Sequence, residues 1–117
     1  MPRPSEDART AFRAALPDDG AVAVRPMFGN IAAFLNGNMF AGLFGEDLFV
    51  RLPEGERAAL IARGGSAFEP MPGRPMKEYV TVPSSWAGDP AATRGWLLRS
   101  LELARELPPK EARKSKR

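Results

Sequence analysis

Residues 24–45, VRPMFGNIAAFLNGNMFAGLFG, hold four of the chain's eleven glycines and four of its seven phenylalanines. Two architectures compete for this stretch: a glycine-rich loop that cradles a phosphate, or strands whose turns need glycine. Asn36-Gly37 favours the second. A two-residue type I′ hairpin turn needs positive φ at both central positions, and Asn-Gly supplies it. Apolar runs flank the pair on both sides, so Leu35 is predicted to face Asn38, Phe34 to face Met39 and Ala32 to face Ala41. The phosphate-loop reading fails on chemistry. Gly37 and Gly42 have the right separation, but Leu43 and Phe44 stand where Lys and Ser or Thr are required, and no G-x-G-x-x-G occurs.

Working outward, AVAVR (residues 21–25) reads as a strand leading into the hairpin, and Gly45-Glu46-Asp47 turns the chain into LFVRL (residues 48–52). Residues 21–52 are therefore a four-stranded antiparallel meander. Before it, Ser5 caps a helix reaching about Leu16, with Ala8, Phe12, Ala15 and Leu16 on one stripe. After it, Pro53 opens a second helix that Gly64 or Gly65 stops. AFEPMPGRP is a loop with a short strand at residues 67–69, because Pro70, Pro72 and Pro75 are too closely spaced for helix or central strand. MKEYVTV (residues 76–82) alternates as a last strand. Asp89 and Pro90 begin a third helix whose inward face is Trp96, Leu97, Leu101 and Ala104. The fold class is α+β: a mostly antiparallel sheet of five or six strands with a central meander, packed with three helices. Alternation puts Phe34, Met39 and Leu43 on one face of the hairpin and Ile31, Phe40 and Phe44 on the other. Both faces are apolar, so both need cover, from helices on each side or from helices on one and a second copy of the chain on the other.

The 117 residues suit one domain, residues 1–109, with residues 110–117 as a basic disordered tail. The net charge of +3 belongs to that tail. Its last eight residues carry Lys110, Arg113, Lys114, Lys116 and Arg117 against Glu111, leaving 12 cations and 13 anions elsewhere. The chain has no cysteine and no histidine, which removes the usual zinc ligands and the Ser–His and Cys–His nucleophile pairs. No cofactor, metal or catalytic set is expected, and neither a membrane span nor a secretory signal is visible, so a cytoplasmic location is expected.

Candidate sites each have a plain structural alternative. Lys77 and Tyr79 share a strand face, where an acid–base pair or a small-molecule pocket competes with ordinary packing and snorkelling. Arg25 and Phe28 open the hairpin, where stacking on a base competes with turn packing. The pairs Asp18-Asp19 and Glu46-Asp47 read as turn residues that bond nearby amides. The five tail cations can touch nucleic-acid phosphates weakly and without regard to sequence. No helix-turn-helix, zinc finger or base-reading aromatic platform is visible.

The order of these features carries a resemblance. Arg25-x-Met27-Phe28-Gly29, the Asn36-Gly37 hairpin, Phe68, the Met76/Tyr79 pair, the Val82-Pro83 strand end and a Trp-containing last helix resemble the TfoX/Sxy N-terminal domain family over about residues 5–107. The resemblance implies a bacterial α+β domain without established catalytic residues. It also implies a regulatory role by protein–protein contact, the best-known members switching on DNA-uptake genes together with a cyclic-AMP receptor protein. Those members carry a second domain, and this chain has the basic tail in its place. The partner expected is accordingly a protein of the transcription machinery or a receptor-type regulator, with a homodimer as a further expectation and nucleic acid as a weak or indirect contact.

Overall fold

The computed structural model describes residues 4–27, 30–70, 73 and 75–108. Helix α1 (Glu6–Ala15) precedes strands β1 (Val22–Met27), β2 (Asn30–Leu35), β3 (Asn38–Phe44) and β4 (Asp47–Arg51). Helix α2 (Glu54–Ala62), strands β5 (Ser66–Ala67) and β6 (Tyr79–Thr81) and helix α3 (Pro90–Arg105) follow. The strands form one six-stranded sheet in the order β1-β2-β3-β4-β6-β5, antiparallel at every pairing. The α+β architecture is the one the sequence predicts. The strand expected over residues 76–82 is shorter, because the Tyr79 N–H bonds the Met76 carbonyl and turns residues 76–79 before the strand begins.

Local chemistry places each boundary. The Ser5 hydroxyl accepts from the Ala8 N–H to cap α1, and the Asp89 carboxylate accepts from the Ala92 N–H to cap α3. Helix α2 ends in paired bonds, Gly64 N–H to the Ile61 carbonyl and Gly65 N–H to the Leu60 carbonyl. Asn36 at φ 52° and Gly37 at φ 83° make the expected hairpin turn.

One expectation is corrected at the hairpin. Leu35 faces Asn38 and Phe34 faces Met39, but Ala32 faces Gly42 and Ala33 faces Ala41. Phe40 is an extra residue in β3, a β-bulge, and beyond it every side chain changes face. Leu43 therefore joins Ile31, Ala33, Leu35 and Phe40 against the helices, in one buried cluster with Phe12 of α1, Leu60 of α2 and Leu97 and Leu101 of α3. Phe44 moves to the opposite face, with Phe34 and Met39.

The bulge has a holder. Ser100 of α3 is fully buried, and its hydroxyl accepts from the Arg51 N–H at 3.1 Å and reaches the Phe40 carbonyl at 2.5 Å and the Arg51 carbonyl at 2.8 Å. It satisfies backbone groups at the point where β3 and β4 stop pairing. Ser100→Ala leaves those groups dry and without the hydroxyl, and is expected to cost about 1–3 kcal/mol in denaturant unfolding. A loss of a few tenths would show that the hydroxyl is dispensable.

The far face finds a cover that the sequence does not suggest. All three helices contribute to the one cluster, and Phe68, from the segment after β5, stacks on Phe49 at 4.1 Å between ring centres and 11° between planes. The Met76 N–H closes that segment onto the Phe68 carbonyl at 2.9 Å. Phe49 is thereby fully buried within one copy of the chain.

Two acidic turn residues also tie distant elements together. Glu46 accepts from the Ser5 N–H at 2.6 Å and from its hydroxyl at 3.1 Å, while its own carbonyl accepts from the Trp86 indole at 3.0 Å. Asp19 accepts from the Ala21 N–H at 2.9 Å and pairs with Arg105 at the end of α3. The Ala21 amide, followed by Arg105, holds the Asp19 carboxyl below its ordinary range.

At the open edge, Met27 faces Asn30 and Leu35 faces Asn38 across two-residue connections, which makes them hydrogen-bonded pairs. Alternation then turns Ala23 and Arg25 inward to β2, and Val22, Val24 and Pro26 outward. Pro26 has no N–H to offer, and that of Val22 goes to the Asp19 carbonyl at 3.0 Å.

Candidate interaction surfaces

The face opposite the helices gathers aromatic side chains from three strands and a loop. Phe49 of β4 lies under Phe68, with Phe44 edge-on to Phe68 at 6.0 Å and Tyr79 edge-on to Phe49 at 5.7 Å. Two arginines lie over rings on the same face: Arg25 over Phe34 at 5.4 Å and Arg51 over Tyr79 at 5.8 Å. Phe34, Met39 and Phe44 are half-buried and Arg25 is exposed. Sequence reading finds no aromatic platform here because the rings are scattered along the chain and only the register assembles them. The alternation that would have placed Phe44 is broken by the bulge.

Among the sequence candidates, Arg25 lies on β1 over Phe34, whereas Phe28 falls outside the described residues. Lys77 is exposed in the turn before β6, so it does not share a strand face with Tyr79. The Tyr79 hydroxyl donates to the Met39 carbonyl at 2.8 Å, spanning β4 to reach β3. Lys110, Arg113, Lys114, Lys116 and Arg117 lie outside the described residues. Among the described residues no three acidic side chains converge to hold a metal ion, and no helix is long and apolar enough to cross a membrane.

Burial raises the Tyr79 pKa above its ordinary value near 10, and the nearby Arg51 only partly opposes this. The sign follows directly: the unfolded chain ionises first, so the native state binds the extra proton and loses stability as pH rises past about 10. Resistance to urea is expected to weaken between pH 9 and 11, and to weaken less in Tyr79→Phe. Equal slopes in the two proteins would assign the effect elsewhere.

The helix layer presents a second surface. A cleft of ≈ 210 Å³ opens between α2 and α3, floored by Leu52 and Leu60 and walled by exposed Ala59 and half-buried Trp96, with Arg63, Arg99 and Glu56 also lining it. Arg99 grips Glu56 through two nitrogens, Nε at 3.0 Å and Nη2 at 2.9 Å, and this hydrogen bonding holds the Glu56 carboxyl below its ordinary range. Sequence reading counts Trp96 as core. Its place next to Leu97 on the buried stripe gives no sign that it also lines a cleft.

A six-stranded antiparallel sheet with helices on one face, an aromatic cluster on the other and an arginine-rimmed cleft defines a small α+β domain. The TfoX N-terminal domain family matches residues 14–104. The chain belongs to that family, and membership points to a competence-related regulatory domain. No curated protein matches the chain at a significant level.

Proposed function

We propose that this domain is a non-catalytic regulatory module that acts by holding a protein partner in the α2–α3 cleft. The observation that carries this reading is the pairing of Trp96 with Arg63 and Arg99 around an apolar floor. Tryptophan and arginine dominate binding energy at protein interfaces, and a pocket of this size seats one apolar anchor with a carboxylate beside it. Family membership supports a gene-regulatory partner, of which a cyclic-AMP receptor-type regulator is the first candidate. The absence of histidine and cysteine from the sequence agrees with a non-catalytic role. In this reading residues 1–109 are the working domain, residues 110–117 are a basic extension, and the protein acts in the cytoplasm.

Light scattering and pull-down of the purified chain with that regulator test the reading. The expected result is a complex that Arg63→Glu weakens at least tenfold while the thermal midpoint stays within a few degrees of the parent. A chain that binds neither the regulator nor another copy of itself overturns it, as does a complex indifferent to both Arg63→Glu and Trp96→Ala.

A further inference from the structure

We propose that the chain pairs with a second copy of itself along its β5 edge, the two sheets joining strand to strand and the two α2 helices meeting above the join. The backbone register comes first. The Val82 N–H bonds the Leu48 carbonyl and the Leu52 N–H bonds the Glu78 carbonyl, which makes Val50 and Val80 the hydrogen-bonded pair between β4 and β6. Thr81 therefore turns its backbone groups the other way, to Ser66 of β5, and Ala67, next along, turns its N–H and carbonyl out of the sheet. Ala67 is exposed, and neither group has a hydrogen-bond partner among the described residues.

The side chains above this edge are apolar. Helix α2 packs over β6 and β5, while α3 covers β3 and β4. Leu60 of α2 points into the core, and Glu56, Ala59 and Arg63 line the cleft on the side of α3. At about 100° per residue, Ala58 and Ile61 fall on the opposite flank, above the β5 edge, with Glu54 and Arg57 supplying one charge of each sign. Ala58 is exposed and Ile61 is 46 % exposed, the larger fraction of the two large apolar side chains that face water. Ala67 points to the same side, because Val80 beside it in the register belongs to the core cluster.

The occupant is a second copy because the rim complements itself. With Ala67 on a two-fold axis, its N–H and carbonyl exchange both bonds with the partner's Ala67. The same register sets Gly65 opposite the partner's Glu69, and does so twice. Arg63 stands two residues before Gly65. Arg63 and Glu69 are both exposed, and neither has an ion pair among the described residues, although the Glu69 carboxylate accepts from the Gly73 N–H. Each copy therefore brings a cation beside the other's carboxylate. The residues nearest the axis, Ser66, Ala67, Ala58 and Ile61, are uncharged, so no like charge meets itself. A lone extended peptide would cover Ala67 and leave Ile61 bare, whereas a second copy brings its own α2 and covers both. Pro26 on β1 closes the opposite edge of the sheet, so the assembly stops at two.

This edge is separate from the α2–α3 cleft, which opens on the other flank of α2, so the two proposals fail independently. The test is sedimentation velocity of the full-length chain over a range of concentrations. The expected result is a reversible monomer–dimer equilibrium with no larger species, since a helix flank and a two-residue strand fall short of the roughly 800 Å² per partner of a standard interface. Ile61→Glu sets like charges on either side of the axis and should weaken the dimer about tenfold or more. Ala67→Pro removes the outward N–H at an edge position that tolerates proline, and should weaken the dimer as well. Leu98→Glu changes the other large exposed apolar side chain, on α3, and should leave the dimer unchanged. Arg63→Glu and Glu69→Arg should each weaken association, and the double variant should regain most of the loss. All of these positions are exposed, so the variants keep the fold. A chain that stays monomeric at every concentration overturns the proposal. So does a dimer indifferent to Ile61→Glu and Ala67→Pro, a dimer dissociated by Leu98→Glu, or growth into longer assemblies.

Discussion

Gly42→Ala is expected to destabilise the domain by about 3 kcal/mol, the upper end of overpacking costs. A Cβ at Gly42 would stand 2.6 Å from Phe49 Cζ and 2.9 Å from the Ile31 carbonyl oxygen. The ring is fixed beneath Phe68, and the oxygen belongs to the backbone of a central strand, so neither can yield cheaply. For a domain of this size that cost lowers the thermal midpoint by roughly 12 °C or more. Gly20 and Gly88 supply controls, since a Cβ at either meets nothing within 4 Å, and alanine there should move the midpoint little. The partial rescue expected in Gly42→Ala/Phe49→Leu, relative to the sum of the single changes, would identify the ring as the obstacle. A Gly42→Ala protein as stable as the Gly20→Ala control would mean that the sheet is less tightly packed than these distances require.

Phe68→Ala is the second large effect, at about 3 kcal/mol, the low end for truncating a buried phenylalanine because water can reach the vacated edge. Phe68 is 4 % exposed and touches Phe44, Phe49 and Tyr79, so its removal strips cover from the whole aromatic cluster. The measurement also bears on whether a second copy of the chain covers this face, as the sequence suggests. If the segment around Phe68 alone provides the cover, the loss of stability is independent of protein concentration. If a second copy shares the task, the loss shrinks as concentration rises, because association restores the missing contacts.

The sequence makes some of this architecture legible and hides the rest for identifiable reasons. Asn36-Gly37 specifies its turn locally, through backbone conformations that few other dipeptides adopt, so the hairpin can be read directly. The caps at Ser5 and Asp89 are equally local. The bulge at Phe40 is not, because the hydroxyl that meets its carbonyl belongs to Ser100, sixty residues away. Without it, strict alternation exchanges Leu43 and Phe44 between faces. Phe68 is similarly hidden: it sits at the head of a proline-rich loop, and nothing near it signals that it folds back over β4. Arg25 can be picked out as a candidate, but the Phe34 ring that its guanidinium overlies stands across the β1–β2 pairing, where sequence proximity does not point. Trp96 shows the reverse case, a residue whose buried stripe is legible while its second role in a cleft is not.

The outward-turned Pro26 carries a consequence for aggregation. A sheet rim lacking its donor is a poor template for fibrils, and Val24 alone cannot seed a ladder. Along this rim self-recognition is left to side chains, so it should dissolve and reform readily in response to salt and competing ligands. A domain edged in this way resists strand-to-strand polymerisation along β1.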